Sequence, residues 1–196
     1  MSLKPFCFLP VIAMLAACAH QSVGEPQVPA VNVSPNYVGL GVESLPAKAV
    51  GEYMTGAFSA LNKALAESDT KQWQLTQLND GSIRLQSVTA AGFETDSAEL
   101  RPSALDALSR IAKVTKTFNK TTVHVLANGR SASAAALSQS LSDRRAAALA
   151  TYLNVQGVDG TRTRYEGSAN TQSGTVQILI KPIVTGAEPQ AWMSPS

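Results

Sequence analysis

The feature that most constrains the fold is the alternation of two hydrophobic periods in the second half of the chain. Residues 121–126 and residues 161–166 are rich in the β-branched and aromatic side chains that are typical of strands. Between them lies a run whose apolar side chains fit the helical period of 3.6 residues, at Leu137, Leu141, Leu149 and Leu153. Strands that alternate with helices in this way predict helices packed on a sheet.

The remaining periodic segments extend this pattern in both directions. Residues 73–78 and 83–88 alternate apolar and polar side chains around the sequence NDGS, which predicts a β-hairpin. A helical pattern opens at Pro102, and residues 175–180 read as a strand with one apolar face. The predicted order is β-β-α-β-α-β-β, an α+β fold with helices packed on a sheet of mixed direction.

The N-terminus has the pattern of a secretory signal peptide over residues 1–17. Lys4 precedes an apolar run that is too short for a persistent membrane-spanning helix. The ending LAAC resembles the lipobox of bacterial lipoproteins, which implies cleavage before Cys18 and lipidation of its thiol. Several acyl chains on one residue would anchor the protein stably to a membrane, and Ala19 rather than aspartate favours the outer membrane. The alternative is ordinary cleavage near an incidental cysteine.

Composition changes divide the rest of the chain. Residues 18–47 contain spaced prolines among small and polar residues, which predicts an extended tether. Residues 48–80 contain an amphipathic helix and the first strand, and residues 81–182 form the main domain. Residues 183–196 have no period and are predicted to be a disordered tail.

Composition also excludes several classes of function. The formal net charge is only +2 and no long block of like charge occurs, so a nucleic-acid partner is not expected. Cys18 would be the only thiol after signal removal, which excludes a disulfide framework. The two histidines, His20 and His124, lack the partners of a metal site, and no nucleophile motif is present. We therefore expect neither catalysis nor a cofactor.

Two segments, GFETDSAELRPSALDALSRIA and LSDRRAAALATYLNVQGV, resemble the OmpA-like C-terminal domain over residues 81–182. This domain occurs in outer-membrane proteins and lipoproteins that hold the envelope to peptidoglycan. The resemblance implies an OmpA-like two-layer sandwich that lies in the periplasm. Within the family's ligand motif, Leu141, Ser142, Arg145 and Ala146 match in register. The resemblance places Arg145 where the family's arginine meets the carboxylate of diaminopimelate.

The first half of that motif departs from the family pattern. Arg130 stands where the family has an aspartate that pairs with an ammonium group of the peptide stem. Ser133 stands in place of a glycine, and Ser138 in place of an asparagine. Loss of one charge-assisted bond costs about 1.5–3 kcal/mol, so binding in the usual mode should be weak or absent. The ligand-binding candidates are thus Arg145, Arg130, Ser138 and Ser142.

Several alternatives stay open at this point. Glu94 or Asp96 could replace the missing acid if the fold brings them to the site, whereas the position of Glu166 is not determined. Arg130 and Arg145 could together bind an anion, or Arg145 could serve the structure alone. The sequence predicts a lipid-anchored outer-membrane protein that associates with peptidoglycan in a weakened or altered mode. The alternative function is an envelope scaffold, for example of a secretion system, that binds protein partners.

Overall fold

The computed structural model describes residues 43–68, 72–88, 92–128, 135–168 and 175–186. In this part of the chain the helices are α1 (Val50–Ala66), α2 (Pro102–Thr117) and α3 (Ala135–Val155). The strands are β1 (Trp73–Gln77), β2 (Ile83–Ser87), β3 (Thr121–Asn128), β4 (Thr163–Ser168) and β5 (Val176–Pro182). None of these helices has both the length and the apolar character needed to cross a membrane. The predicted signal peptide and Cys18 lie outside the described residues.

The strands form one five-stranded sheet in the order β1-β2-β5-β3-β4. Only β3 and β4 are parallel, and the other neighbouring pairs are antiparallel. The central strand β5 places Ile178 beside Leu85 on one side and beside Val125 on the other. The prediction of an α+β fold with helices on a mixed sheet is confirmed.

The core lies between one face of this sheet and the three helices. Alternate residues of the strands enter it, because successive side chains of a strand point to opposite faces. Its fully buried apolar residues include Met54, Leu61, Ile83, Leu85, Leu108, Ile111, Val123, Val125, Leu149, Leu153, Ile178 and Ile180. Leu137, which we placed on the apolar stripe of α3, is instead 56% exposed. It lies in the first turn of the helix, outside the hydrophobic cluster.

The hairpin between β1 and β2 forms at the predicted turn. Gly81 has a φ of +81°, a conformation that glycine adopts without a steric cost. The Asp80 side chain accepts a hydrogen bond of 2.9 Å from the Ser82 backbone N–H. These local contacts close the turn and set the register that pairs Leu75 with Leu85.

The two ends of the described chain meet beside the sheet, which corrects two predicted boundaries. Leu45, which we assigned to the tether, is 4% exposed and bridges to Val184 in parallel. Its N–H donates to Ile183 O at 2.7 Å, and Thr185 N–H donates to Leu45 O at 2.9 Å. Residues 43–47 and 183–186 therefore belong to the folded unit. The sequence did not reveal this because a single apolar residue among prolines has no period; residues 187–196 of the predicted tail lie outside the described part.

His124 on β3 is 7% exposed and faces away from the helices. Burial, with smaller contributions from Arg164 and Lys181, lowers its pKa from 6.5 to about 4. The unfolded chain therefore binds a proton near pH 6.5 that the folded chain does not bind until about pH 4. The neutral His124 therefore does not destabilise the fold above about pH 6.5, and the free energy of unfolding falls as the pH decreases from 6.5 towards 4.

Between pH 7 and pH 5 this difference corresponds to a loss of about 2 kcal/mol of unfolding free energy. Urea unfolding at several pH values measures the slope. We expect His124→Gln to flatten the slope in this range, because glutamine does not titrate. An equal slope in the variant would show that other groups cause the pH dependence.

Candidate functional site

Arg145 lies in the middle of α3 and is only 4% exposed. Its Nε donates to Ser97 O at 2.8 Å, and its Nη2 donates to Glu94 O at 3.3 Å. The guanidinium also stacks on the Phe93 ring, 5.2 Å from its centroid. Arg145 thus attaches α3 to the loop of residues 92–101 that leads into α2.

That loop is closed by its own backbone. Phe93 and Leu100 form an antiparallel bridge, and Arg101 N–H donates to Gly92 O at 3.0 Å. At its tip Asp96 has a φ of +51°, which is uncommon outside glycine and is best tolerated by asparagine and aspartate. Such a conformation persists only where the surroundings hold it, as the bonds from Arg145 do here.

The loop surface is acidic above the buried arginine. Glu94, Asp96 and Glu99 are exposed, and Glu94 also forms an ion pair of 3.5 Å with Arg101. Burial lowers the pKa of Arg145, whereas the charge of Asp96 opposes this shift. The fold therefore brings the carboxylate of Asp96 into electrostatic range of Arg145, as one of our alternatives required.

Ser138 and Ser142 do not reach a ligand surface. They are 1% and 0% exposed, respectively. The single O–H of Ser142 is shared between Ser138 O at 2.6 Å and Ser168 O at 2.8 Å, which joins α3 to the end of β4. We correct their assignment as ligand-binding candidates, because motif register alone does not reveal that β4 covers this side of the helix.

A close approach of β4 to α3 explains that burial. A side chain at Gly167 would overlap the backbone of Ser142 and Asp143, so only glycine fits there. Gln139 Nε2 donates to Gly167 O at 3.0 Å and to Asp143 Oδ1 at 2.9 Å. Sequence reasoning missed Gly167, although a glycine inside a strand pattern is a signal of close backbone contact.

The other acidic candidate lies elsewhere. Glu166 is exposed, and its carboxylate lies 3.8 Å from His124 Nε2 on the sheet face away from the helices, so it does not serve Arg145. Arg130 and Ser133 lie outside the described residues, and the anion site that needs Arg130 stays a prediction.

Sequence reasoning also missed the carbonyl groups of Glu94 and Ser97, because no side-chain pattern reports backbone acceptors.

No group of metal-ligating side chains is present within the described ranges of the chain. The site offers a buried guanidinium and an exposed carboxylate on a closed loop. This arrangement suits a ligand that carries both an anionic and a cationic group.

Comparison with known proteins identifies this region. Residues 92–177 match the model of the OmpA family. The probable lipoprotein YiaD of Escherichia coli (strain K12) is 37% identical over 104 residues, a match that covers 46% of this chain and 48% of that protein. The chain thus spans about half the length of this curated relative.

Solved structures share the fold. A putative MotB like protein from Desulfovibrio vulgaris superposes with a TM-score of 0.57 at 12% identity, covering 71% of this chain and 97% of that one. The cell wall anchor of the T6SS from Pseudomonas aeruginosa superposes with a TM-score of 0.52 at 20% identity, covering 62% and 96%. At these identities the likeness concerns the fold alone.

Proposed function

We propose that this chain, which carries an OmpA-family domain at residues 92–177, is an envelope lipoprotein whose domain associates with peptidoglycan in an altered mode. One relative is named a probable lipoprotein, and one protein of the same fold is named a cell wall anchor. The observation that carries the proposal is the placement of Arg145 beside the Asp96 loop.

The chemistry of this pair fits an amino-acid group of a peptide stem. Arg145 is only 4% exposed, but its planar guanidinium has more N–H donors than its two carbonyl bonds use, so we infer that a ligand carboxylate meets a remaining donor. The exposed carboxylate of Asp96 can meet an ammonium group of the same ligand. The family takes this acid from the position that Arg130 occupies here, so Asp96 would replace it from a different loop.

The position of the site supports a role between membrane and cell wall. The loop of Arg145 follows the C-terminal end of β2, whereas Leu45 pairs with Val184 just after the C-terminal end of β5. Because β2 and β5 are neighbouring antiparallel strands, their C-terminal ends lie at opposite ends of the strands, about 23 Å apart for a strand of seven residues. A tether that enters at residue 43 would leave the site facing away from its anchor.

The remaining parts of the proposal follow from the N-terminus. Residues 1–17 would be the signal peptide, Cys18 would carry the lipid in the outer membrane, and residues 18–42 would span to the periplasmic domain. The domain would bind without catalysis and without a cofactor.

Cosedimentation with purified sacculi tests the proposal on the chain without residues 1–18. We expect Arg145→Ala and Asp96→Asn each to raise the dissociation constant for sacculi by at least about tenfold, which corresponds to loss of one charge-assisted contact. Asparagine retains the shape of aspartate and tolerates a positive φ, so this variant removes only the charge. Arg144→Ala is the matched control, because Arg144 is exposed on the same helix turn and should bind as the unmodified chain does.

Other outcomes separate the alternatives. If the unmodified chain stays in the supernatant while Arg130→Asp pellets, the binding cleft is intact but the unmodified chain has lost its affinity for peptidoglycan. Equal pelleting of every variant would exclude the Arg145 site as the attachment point. Either result would favour the scaffold function, in which this surface contacts an envelope protein.

A further inference from the structure

The two edges of the sheet differ in their protection against other strands. On β4 the charged residues Arg164 and Glu166 alternate with uncharged ones, and α3 side chains donate to the carbonyls of Gly167 and Ser168. Charges and covering side chains are common ways to block an edge strand. The other edge strand, β1, has the sequence WQLTQ and contains neither a charge nor a proline.

The pattern of hydrogen bonds between β1 and β2 shows which backbone groups of β1 face outward. Val88 N–H donates to Gln72 O, and Leu78 N–H donates to Ser82 O, so even-numbered residues of β1 bond to β2. In an antiparallel pair, bonded and non-bonded residues alternate. The backbone N–H and C=O groups of Trp73, Leu75 and Gln77 therefore point out of the sheet. Within the described part of the chain, β1 has no neighbour on that side.

We propose that β1 pairs in antiparallel fashion with β1 of a second copy of this chain, which would join the two sheets edge to edge. A two-fold axis at Leu75 aligns the two β1 strands over their whole length. The outward backbone groups of each strand can then form hydrogen bonds with the other strand. Trp73 then lies opposite Gln77, and Gln74 lies opposite Thr76. No like charges would face each other in this pairing. The charge repulsion that protects most edge strands from association is therefore absent.

The choice of a second copy follows from this self-complementarity. The register that aligns the whole strand pairs apolar Leu75 with itself and polar Gln74 with polar Thr76, and only the outer pair, Trp73 with Gln77, sets an apolar side chain against a polar one. A strand of five residues makes a small interface, so association would be weak between free molecules. Anchoring in one membrane, as proposed above, would raise the effective concentration of the two copies.

The dimer would leave both wall-binding sites accessible. Arg145 lies on α3, which packs along β4 at the opposite edge of the sheet from β1. Pairing through β1 would therefore place the two sites on the outer flanks of the joined sheets. Two weak contacts with the same sacculus would then act together.

Disulfide trapping of the whole chain in its host envelope tests this inference. Gln74 and Thr76 are exposed, and in the dimer they form a non-bonded pair with Cα atoms about 4.5 Å apart, which suits a disulfide. We expect co-production of Gln74→Cys and Thr76→Cys chains to give a disulfide dimer of twice the chain mass. Each variant alone should give little, because its own copy lies on the diagonal at about 7–8 Å. Asn79→Cys, in the exposed hairpin turn, is the background control.

A second variant separates pairing from chance collision. Gln77→Pro removes an outward N–H without removing a bond to β2, so the fold should persist while the dimer is lost. A dimer that survives Gln77→Pro, or that forms equally from each cysteine variant alone, would overturn the proposal. A cross-linked product of another mass would identify a different partner strand and would also overturn it. Sacculus binding by the same chains reports independently on the Arg145 site.

Discussion

Gly167→Ala is expected to lower the free energy of unfolding by about 3 kcal/mol, at the upper end of the cost of overpacking. The added methyl group would overlap the backbone of Ser142 and Asp143, which cannot rotate away as a flexible side chain could. Relief requires α3 to move away from β4, which would strain the Ser142 bond to Ser168 O. Urea unfolding should show a lower midpoint with an unchanged slope.

Gly51→Ala is the matched control for this substitution. Gly51 lies in α1, and a methyl group there would have no neighbour within 4 Å. Alanine is a better helix former than glycine, so stability should rise by about 0.5–1 kcal/mol. Equal stability of the two variants would show that β4 and α3 approach less closely than the structure indicates.

Arg162→Met is expected to lower the free energy of unfolding by about 3 kcal/mol, because it leaves buried acceptors without donors. Arg162 is 2% exposed and donates to Thr121 O at 2.8 Å and to Thr115 O at 2.7 Å. Methionine fills a similar volume but leaves both carbonyls buried without these donors, at about 1–3 kcal/mol each. Burial lowers the pKa of Arg162, which shows that the buried charge has a desolvation cost. Methionine has no such cost, and this offsets part of the lost unfolding free energy.

The control for Arg162 is Arg110→Met on the exposed side of α2. Arg110 pairs with Asp106 at 3.0 Å one helical turn away, and such exposed pairs contribute less than about 1 kcal/mol. Thermal unfolding of both variants under the same conditions gives the comparison. A neutral Arg162→Met would mean that water or a local shift satisfies the two carbonyls.

The parts of the fold that were predictable have local causes. The hairpin around Gly81 follows from turn chemistry, and the buried residues of β5 follow from strict alternation. The paired end at Leu45 was missed because its partner Val184 lies far along the chain. Leu137 was misassigned because periodicity does not report which positions of a helix the rest of the fold covers.

The site divides in the same way. Arg145 stands out in the sequence because it lies in a recognisable motif, but its partners are the backbone carbonyls of Glu94 and Ser97. No pattern of side chains predicts which carbonyl a distant arginine will reach. Asp96 lies near Arg145 because Arg145 bonds to Ser97 and Glu94, which are 48 and 51 positions away in the chain.

By itself, the sequence determined the type and order of the elements, the domain that they resemble and the arginine at its motif. Those properties depend on neighbours within a few residues, where steric preferences and hydrophobic period act directly. Only the tertiary structure decided that Ser138 and Ser142 are buried, that Asp96 approaches Arg145, and that β1 is an edge strand of the sheet that the described residues form. Each of these depends on segments that are distant in the chain, and packing of the whole sheet and its helices brings them together.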